Sequence, residues 1–168
     1  ESVCESICNY VRELRKLGVD GYFYSTISAI PDGFPRGTRQ EVYETFLRPF
    51  DLEVLRAAEG MMRVLHAHGA GLDLDRLKGY PFEVISLSDR APGNPSLADL
   101  RKWTGRCLMG GLDESAFPEV SLGVLANQID DAVAQAGRER FILAPGCTLP
   151  SYSPKRSLEF LRDYASGL

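Results

Sequence analysis

No apolar stretch in the sequence approaches the roughly 20 residues that a membrane-spanning helix needs. The opening residues, ESVCESICNYVRELRK, lack the apolar centre of a secretory signal, so the expectation is a cytoplasmic chain with no membrane partner. Charge runs of one sign are missing too. Lys and Arg number 19 against 23 Asp and Glu, a formal net charge of -4, and no basic block can follow a phosphate backbone. That argues against nucleic acid. Cysteine is sparse: Cys4, Cys8, Cys107 and Cys147 show no paired framework and read as thiols or ligands, not disulfides. Position 1 holds Glu, not Met, and opens directly on a helical pattern, which suggests a processed or partial chain.

What is present is an ordinary globular composition, 44% apolar, 25% charged and 10% aromatic, read as one domain over residues 1–168. Ile7, Val11, Leu14 and Leu17 recur at helical spacing, and Gly18 stands where a helix stops. An aromatic run from Asp20 to Thr26 reads as a buried strand, in which Tyr22 and Tyr24 pack. A Pro/Gly-rich loop from Ile30 to Gly37 follows, long for its place in the chain. Thr38 to Glu41 fits a capping box for a helical segment over 40–60, broken or kinked at Pro49. Strands are then expected at Met62–Leu65, Phe82–Ser88, Cys107–Gly111 and Phe141–Ala144. The helices between and after them are a short one through Leu74 and Leu77, then Ser96–Thr104, Ser121–Ala136 and Pro154–Ala165.

Apolar strands each followed by a helix mean a parallel sheet covered by helices. A doubly wound sheet and a (β/α)8 barrel both fit, but no Gly-x-Gly-x-x-Gly turn follows a strand, which weakens the dinucleotide-binding version. The barrel is preferred. About five βα units are present, against eight in a closed barrel of about 250 residues, so the expected fold is α/β, the C-terminal portion of a TIM barrel.

In such folds function sits at the C-terminal strand ends. Those ends are polar here: Ser25-Thr26, His66-Ala67-His68-Gly69, Ser88-Asp89-Arg90, Gly110-Gly111-Leu112-Asp113-Glu114 and Pro145-Gly146-Cys147-Thr148. His66 and His68 are the two histidines of the chain, and strand residues at i and i+2 face the same side. With Cys147 they offer two nitrogens and a sulfur, a set that suits zinc with one position open. The alternative is a histidine pair capping a strand by hydrogen bonds and a small buried thiol. Asp89 and Arg90 could bind a polar substrate or anchor their loop. Gly110 and Gly111 could admit a ligand or only bend the chain. Asp113 and Glu114 could be an acid-base pair, though the charge preference of a helix N-terminus is the simpler role. Cys4, Cys8 and Cys107 read as core or surface thiols.

Taken in order, Gly18-Val19-Asp20-Gly21, Leu65-His66-Ala67-His68-Gly69, Ser88-Asp89-Arg90, Gly110-Gly111-Leu112-Asp113 and Pro145-Gly146-Cys147-Thr148 resemble the uroporphyrinogen decarboxylase superfamily over nearly the whole chain. The resemblance implies a (β/α)8 barrel of which this is the C-terminal half or somewhat more, and it implies two chemistries. The decarboxylase of porphyrin and haem biosynthesis, a lyase without metal or organic cofactor, carries Gly-His at the last strand end, where this chain has Gly146-Cys147. Its substrate-binding Arg and Asp residues belong to the N-terminal part, outside this sequence.

The cobalamin-dependent methyltransferases instead bind zinc through His-x-Cys-Gly and a final Gly-Cys. Carried over, His66 is the first ligand and Cys147 the last, while His68 stands where that branch has Cys. The implied function is zinc-assisted transfer of a methyl group from a corrinoid co-substrate to a thiol. The corrinoid would arrive on a separate carrier protein. Ser25, Asp89, Arg90 and Asp113 are the substrate-binding candidates, for a thiol or, in the decarboxylase alternative, a tetrapyrrole. A third reading is an inactive half-barrel that binds or assembles, and open sheet edges suggest a homodimer.

Overall fold

The structure, a computed structural model, describes residues 2–167. The first amphipathic segment forms α1 (Ser2–Lys16), which buries Cys4, Cys8 and Val11. The expected stripe is therefore rotated. Ile7 is 36% exposed and Leu17 80%, because the two cysteines act as the small apolar residues that close packing against Val54, Ala57, Ala58 and Met61 requires. Gly18 does stop the helix. Its φ of 78° lets its own N–H reach the Arg15 carbonyl at 3.1 Å and the Val19 N–H reach the Leu14 carbonyl at 3.2 Å, a Schellman closure.

β1 (Gly21–Thr26) is half-exposed, not the buried run expected. Tyr22 and Tyr24 pack on the α1 cluster, while the alternate residue Phe23 is 52% exposed on the other face. The helical segment after the loop comes in pieces: α2 (Gln40–Val42), a π-helical turn (Tyr43–Leu47) and α3 (Arg48–Ala57), with Pro49 in the first turn of α3. The capping box is not made. Arg39 occupies the N-cap without a side-chain bond, and Thr38 serves the buried Arg76 instead, through Oγ1 at 3.1 Å and its carbonyl at 2.8 Å. Arg76 also reaches the Ile30 carbonyl at 2.9 Å and lies over the Tyr43 ring, so one guanidinium pins the long loop at both ends.

β2 (Met62–Ala67) runs two residues further than the sequence pattern marked, and β3 (Val84–Leu87) is shorter at both ends. Between them Leu74–Leu77 is a 3-10 turn. The remaining elements are α4 (Leu97–Trp103), β4 (Cys107–Leu112), α5 (Leu122–Ala136), β5 (Phe141–Pro145) and α6 (Lys155–Ser166), all close to expectation. Ser96 and Asp99 form a capping box at α4, and Ser121 caps α5.

The five strands are parallel, in the order β1-β2-β3-β4-β5. The chain groups into two compact units, Glu1–Ser86 and Leu87–Leu168. In the first, β1 and β2 pair from Gly21↔Met62 to Thr26↔Ala67; in the second, β4 and β5 pair from Leu108↔Phe141 to Leu112↔Pro145. Among the described residues no helix is long and apolar enough to cross a membrane.

Candidate functional site

His66 is the fifth residue of β2 and 4% exposed. His68 lies one residue beyond the strand, yet its N–H still bonds the Thr26 carbonyl at 2.8 Å, so the ladder continues and both imidazoles stay on one side. Their ring centroids are 5.7 Å apart and a nitrogen of each lies within 4.8 Å of the other. His66 Nδ1 is hydrogen-bonded to Ser86 Oγ at 3.2 Å, and the Phe23 ring stacks on the imidazole at 5.5 Å. Ser25 is exposed and pairs in register with His66.

Ser86 and Phe23 were not singled out from sequence. A serine inside a fully buried four-residue strand was the available signal, since a buried hydroxyl needs a partner. Phe23 gave no comparable sign, being one aromatic in a run of three.

In the second unit, Asp89 Oδ1 accepts the Gly111 N–H at 2.8 Å, and Oδ2 lies 3.6 Å from Arg90 Nε. Burial holds the Asp89 carboxyl above the usual range, although the Gly111 N–H and the Arg90 charge oppose it. Arg90 donates to the Gly111 and Gln128 carbonyls, both at 3.0 Å, and pairs with Asp131 at 2.6 Å. A Cβ at Gly110 would lie 2.5 Å from Asp89 Oδ1, so glycine there gives the carboxylate its room.

Asp113 Oδ1 closes a turn by accepting the Ser115 and Ala116 N–H groups, and Glu114 accepts the Ser88 hydroxyl at 2.6 Å. Neither supplies helix N-terminal charge, because α5 begins later, at the Ser121 cap, with no acid in its first turn. Cys147 is the second residue past β5, half-buried and not in a disulfide. The preceding Gly146 passes so close to Ser88 that a Cβ would meet its Cα at 2.5 Å and Glu114 Oε2 at 2.8 Å.

The architecture and these strand ends define a class: a parallel β/α protein of barrel type, with imidazole, carboxylate, guanidinium and thiol groups at the C-terminal ends of its strands. The sequence model described as uroporphyrinogen decarboxylase (URO-D) matches residues 1–167, and the chain belongs to that family. No curated protein matches the sequence significantly. A solved methyltransferase from Methanosarcina mazei shares the fold, with a TM-score of 0.78 and 17% identity over 98% of this chain and 47% of its own. The chain thus spans about half the length of that protein.

Proposed function

We propose that the chain serves methyl transfer from a corrinoid to a thiol, with zinc held by His66, His68 and Cys147. The observation that carries this reading is the imidazole pair at the end of β2, with nitrogens within 4.8 Å of each other and His66 braced by Ser86. Metal-ligating histidines nearly always commit their other ring nitrogen to such a brace. In the tautomer that donates from Nδ1 to Ser86, Nε2 is the nitrogen left to face a metal. The donor set fits zinc, and a third ligand from the end of β5 is supported by the barrel fold, in which all strand ends open on one mouth.

Zinc bound there would let an incoming thiol lose its proton at neutral pH and act as a thiolate nucleophile. His68 replaces a thiolate ligand of the family pattern, leaving the site one negative charge poorer and a better acceptor for an anionic sulfur. Phe23 stacks on His66 and restricts the ring. Ser25, Asp89, Arg90 and Asp113 would bind the thiol substrate or orient its polar groups. Asp89 would do so from a fixed position, because the Gly111 N–H and Arg90 hold it.

The methyl-corrinoid would be delivered by a carrier protein, and a homodimer and a cytoplasmic setting belong to the same reading, the latter in keeping with four cysteines that form no disulfide. The family's own description favours a second reading, metal-free decarboxylation of uroporphyrinogen.

The test is a zinc-loaded assay of methylcobalamin demethylation with a panel of thiols. Turnover that is abolished in His66→Ala and Cys147→Ala is expected. Carbon dioxide release from uroporphyrinogen without metal, with no methyl transfer, would overturn the proposal.

A further inference from the structure

On the other side of the first unit, α1 and α3 bring together a second set of metal-ligating groups that the methyl-transfer reading does not use. Cys4 and Cys8 are one helical turn apart on the buried face of α1, and their sulfurs are 4.0 Å apart. Both thiols are free. Glu53, from α3, completes the set, with one ligand atom of each residue within 4.8 Å of the others. The Cys4 Sγ also donates to the Phe50 carbonyl at 3.9 Å.

Two sulfurs bound tetrahedrally at about 2.3 Å from a zinc ion lie about 3.8 Å apart, close to the spacing that the helix already imposes. The third ligand comes from a different helix, held by the packing of Cys4, Cys8 and Val11 on Val54, Ala57 and Ala58. The arrangement is therefore set by tertiary structure and not by helix geometry alone.

We propose that Cys4, Cys8 and Glu53 form a second site, for a thiophilic divalent cation such as zinc or cadmium, independent of His66, His68 and Cys147. Two sulfurs and one oxygen select soft ions over magnesium or calcium, which take oxygen ligands. Access is built in: Cys4 lines an apolar groove of about 230 Å³ with Val3, Ile7, Tyr24, Phe50 and Val54. Glu53 lines a neighbouring groove of about 360 Å³. The fourth position of a tetrahedral ion would face this side. Simple core packing accounts for two small apolar residues at positions 4 and 8, but not for a carboxylate oxygen from a second helix within 4.8 Å of both sulfurs.

The experiment is a cadmium titration of the full chain carrying His68→Ala and Cys147→Ala, followed by thiolate-to-cadmium charge-transfer absorption. That background removes two of the three ligands of the other proposal, so the two fail separately. Saturation at about one equivalent is expected. Adding Cys4→Ala removes the signal, Cys107→Ser leaves it, and Glu53→Gln, at an exposed position that cannot disturb the core, weakens binding at least about tenfold. No charge-transfer band in a chain with native circular dichroism, or a band undiminished by Cys4→Ala, would overturn the site. Should the background variant not fold, Cys4→Ala alone is compared with the unsubstituted chain: loss of one bound cadmium supports the site and no loss overturns it.

Discussion

Asp51 shows how much of this protein's polar chemistry is settled by single buried residues. It is 6% exposed and accepts hydrogen bonds from the Tyr24 hydroxyl at 2.6 Å, Thr26 at 3.1 Å and the Tyr80 hydroxyl at 2.9 Å. Burial pushes both tyrosine hydroxyls well above their ordinary range and the Asp51 charge adds to it, so they remain neutral donors. Replacing the carboxylate strands the Tyr24 and Tyr80 hydroxyls at once, while Thr26 keeps Ser28 Oγ at 2.8 Å. Asp51→Ala is expected to lower stability by at least about 2 kcal/mol, read as a shifted urea midpoint. A change within about 0.5 kcal/mol, as at an ordinary surface position, would show that water replaces the carboxylate at no cost. Nothing in the sequence marked Asp51, an acid in a helical stretch with no motif around it. His66 and His68 were legible because strand alternation is local: two residues apart on a strand share a side wherever the strand lies. Ser86 and Glu53 were not, since their importance depends on contacts made across long stretches of sequence.

At the level of elements, stops and caps read well where the signal is short-range, and badly where a distant residue competes for the same group. Gly18 closes α1 as its position implied, and Ser96 and Ser121 cap α4 and α5. Thr38 does not cap, because Arg76 takes it. The expected break at Pro49 appears just upstream as the π-helical turn Tyr43–Leu47, which Arg48 and Tyr43 bind to the Arg76 carbonyl, the Arg48 contact being 3.1 Å. The α1 stripe is displaced for a packing reason: Cys4 and Cys8, among the residue types most often buried, take the inward face beside Val11.

Gly18 itself makes the element-scale prediction. Its left-handed φ of 78° is strained for any side chain, while no atom lies within 4 Å of an added Cβ. Gly18→Ala should therefore cost about 1–2 kcal/mol from backbone strain alone, with no steric contribution. Equilibrium unfolding checks it. A loss beyond about 3 kcal/mol would point to a clash, and no loss would mean that α1 ends differently in solution.

Over the whole chain, the alternation of apolar strands and helices was enough to give a parallel β/α fold, because each parallel strand needs a helical crossover and each crossover leaves its own periodicity. The strand ends then pointed to the family, which the match over residues 1–167 shows. Chemistry was less legible. The family's description is a decarboxylase and the structural neighbour a methyltransferase, so the fold alone does not separate the two chemistries.

The most direct measurement is zinc per chain, by elemental analysis after exchange into metal-free buffer, for the unsubstituted protein and for Cys147→Ala, His68→Ala and Cys147→Ala combined with Cys4→Ala. The account predicts about one equivalent less than the unsubstituted protein in each of Cys147→Ala and His68→Ala, and a further equivalent lost when Cys4→Ala, which empties the second site, is added to Cys147→Ala. Zinc content unchanged by Cys147→Ala in a folded chain would contradict it.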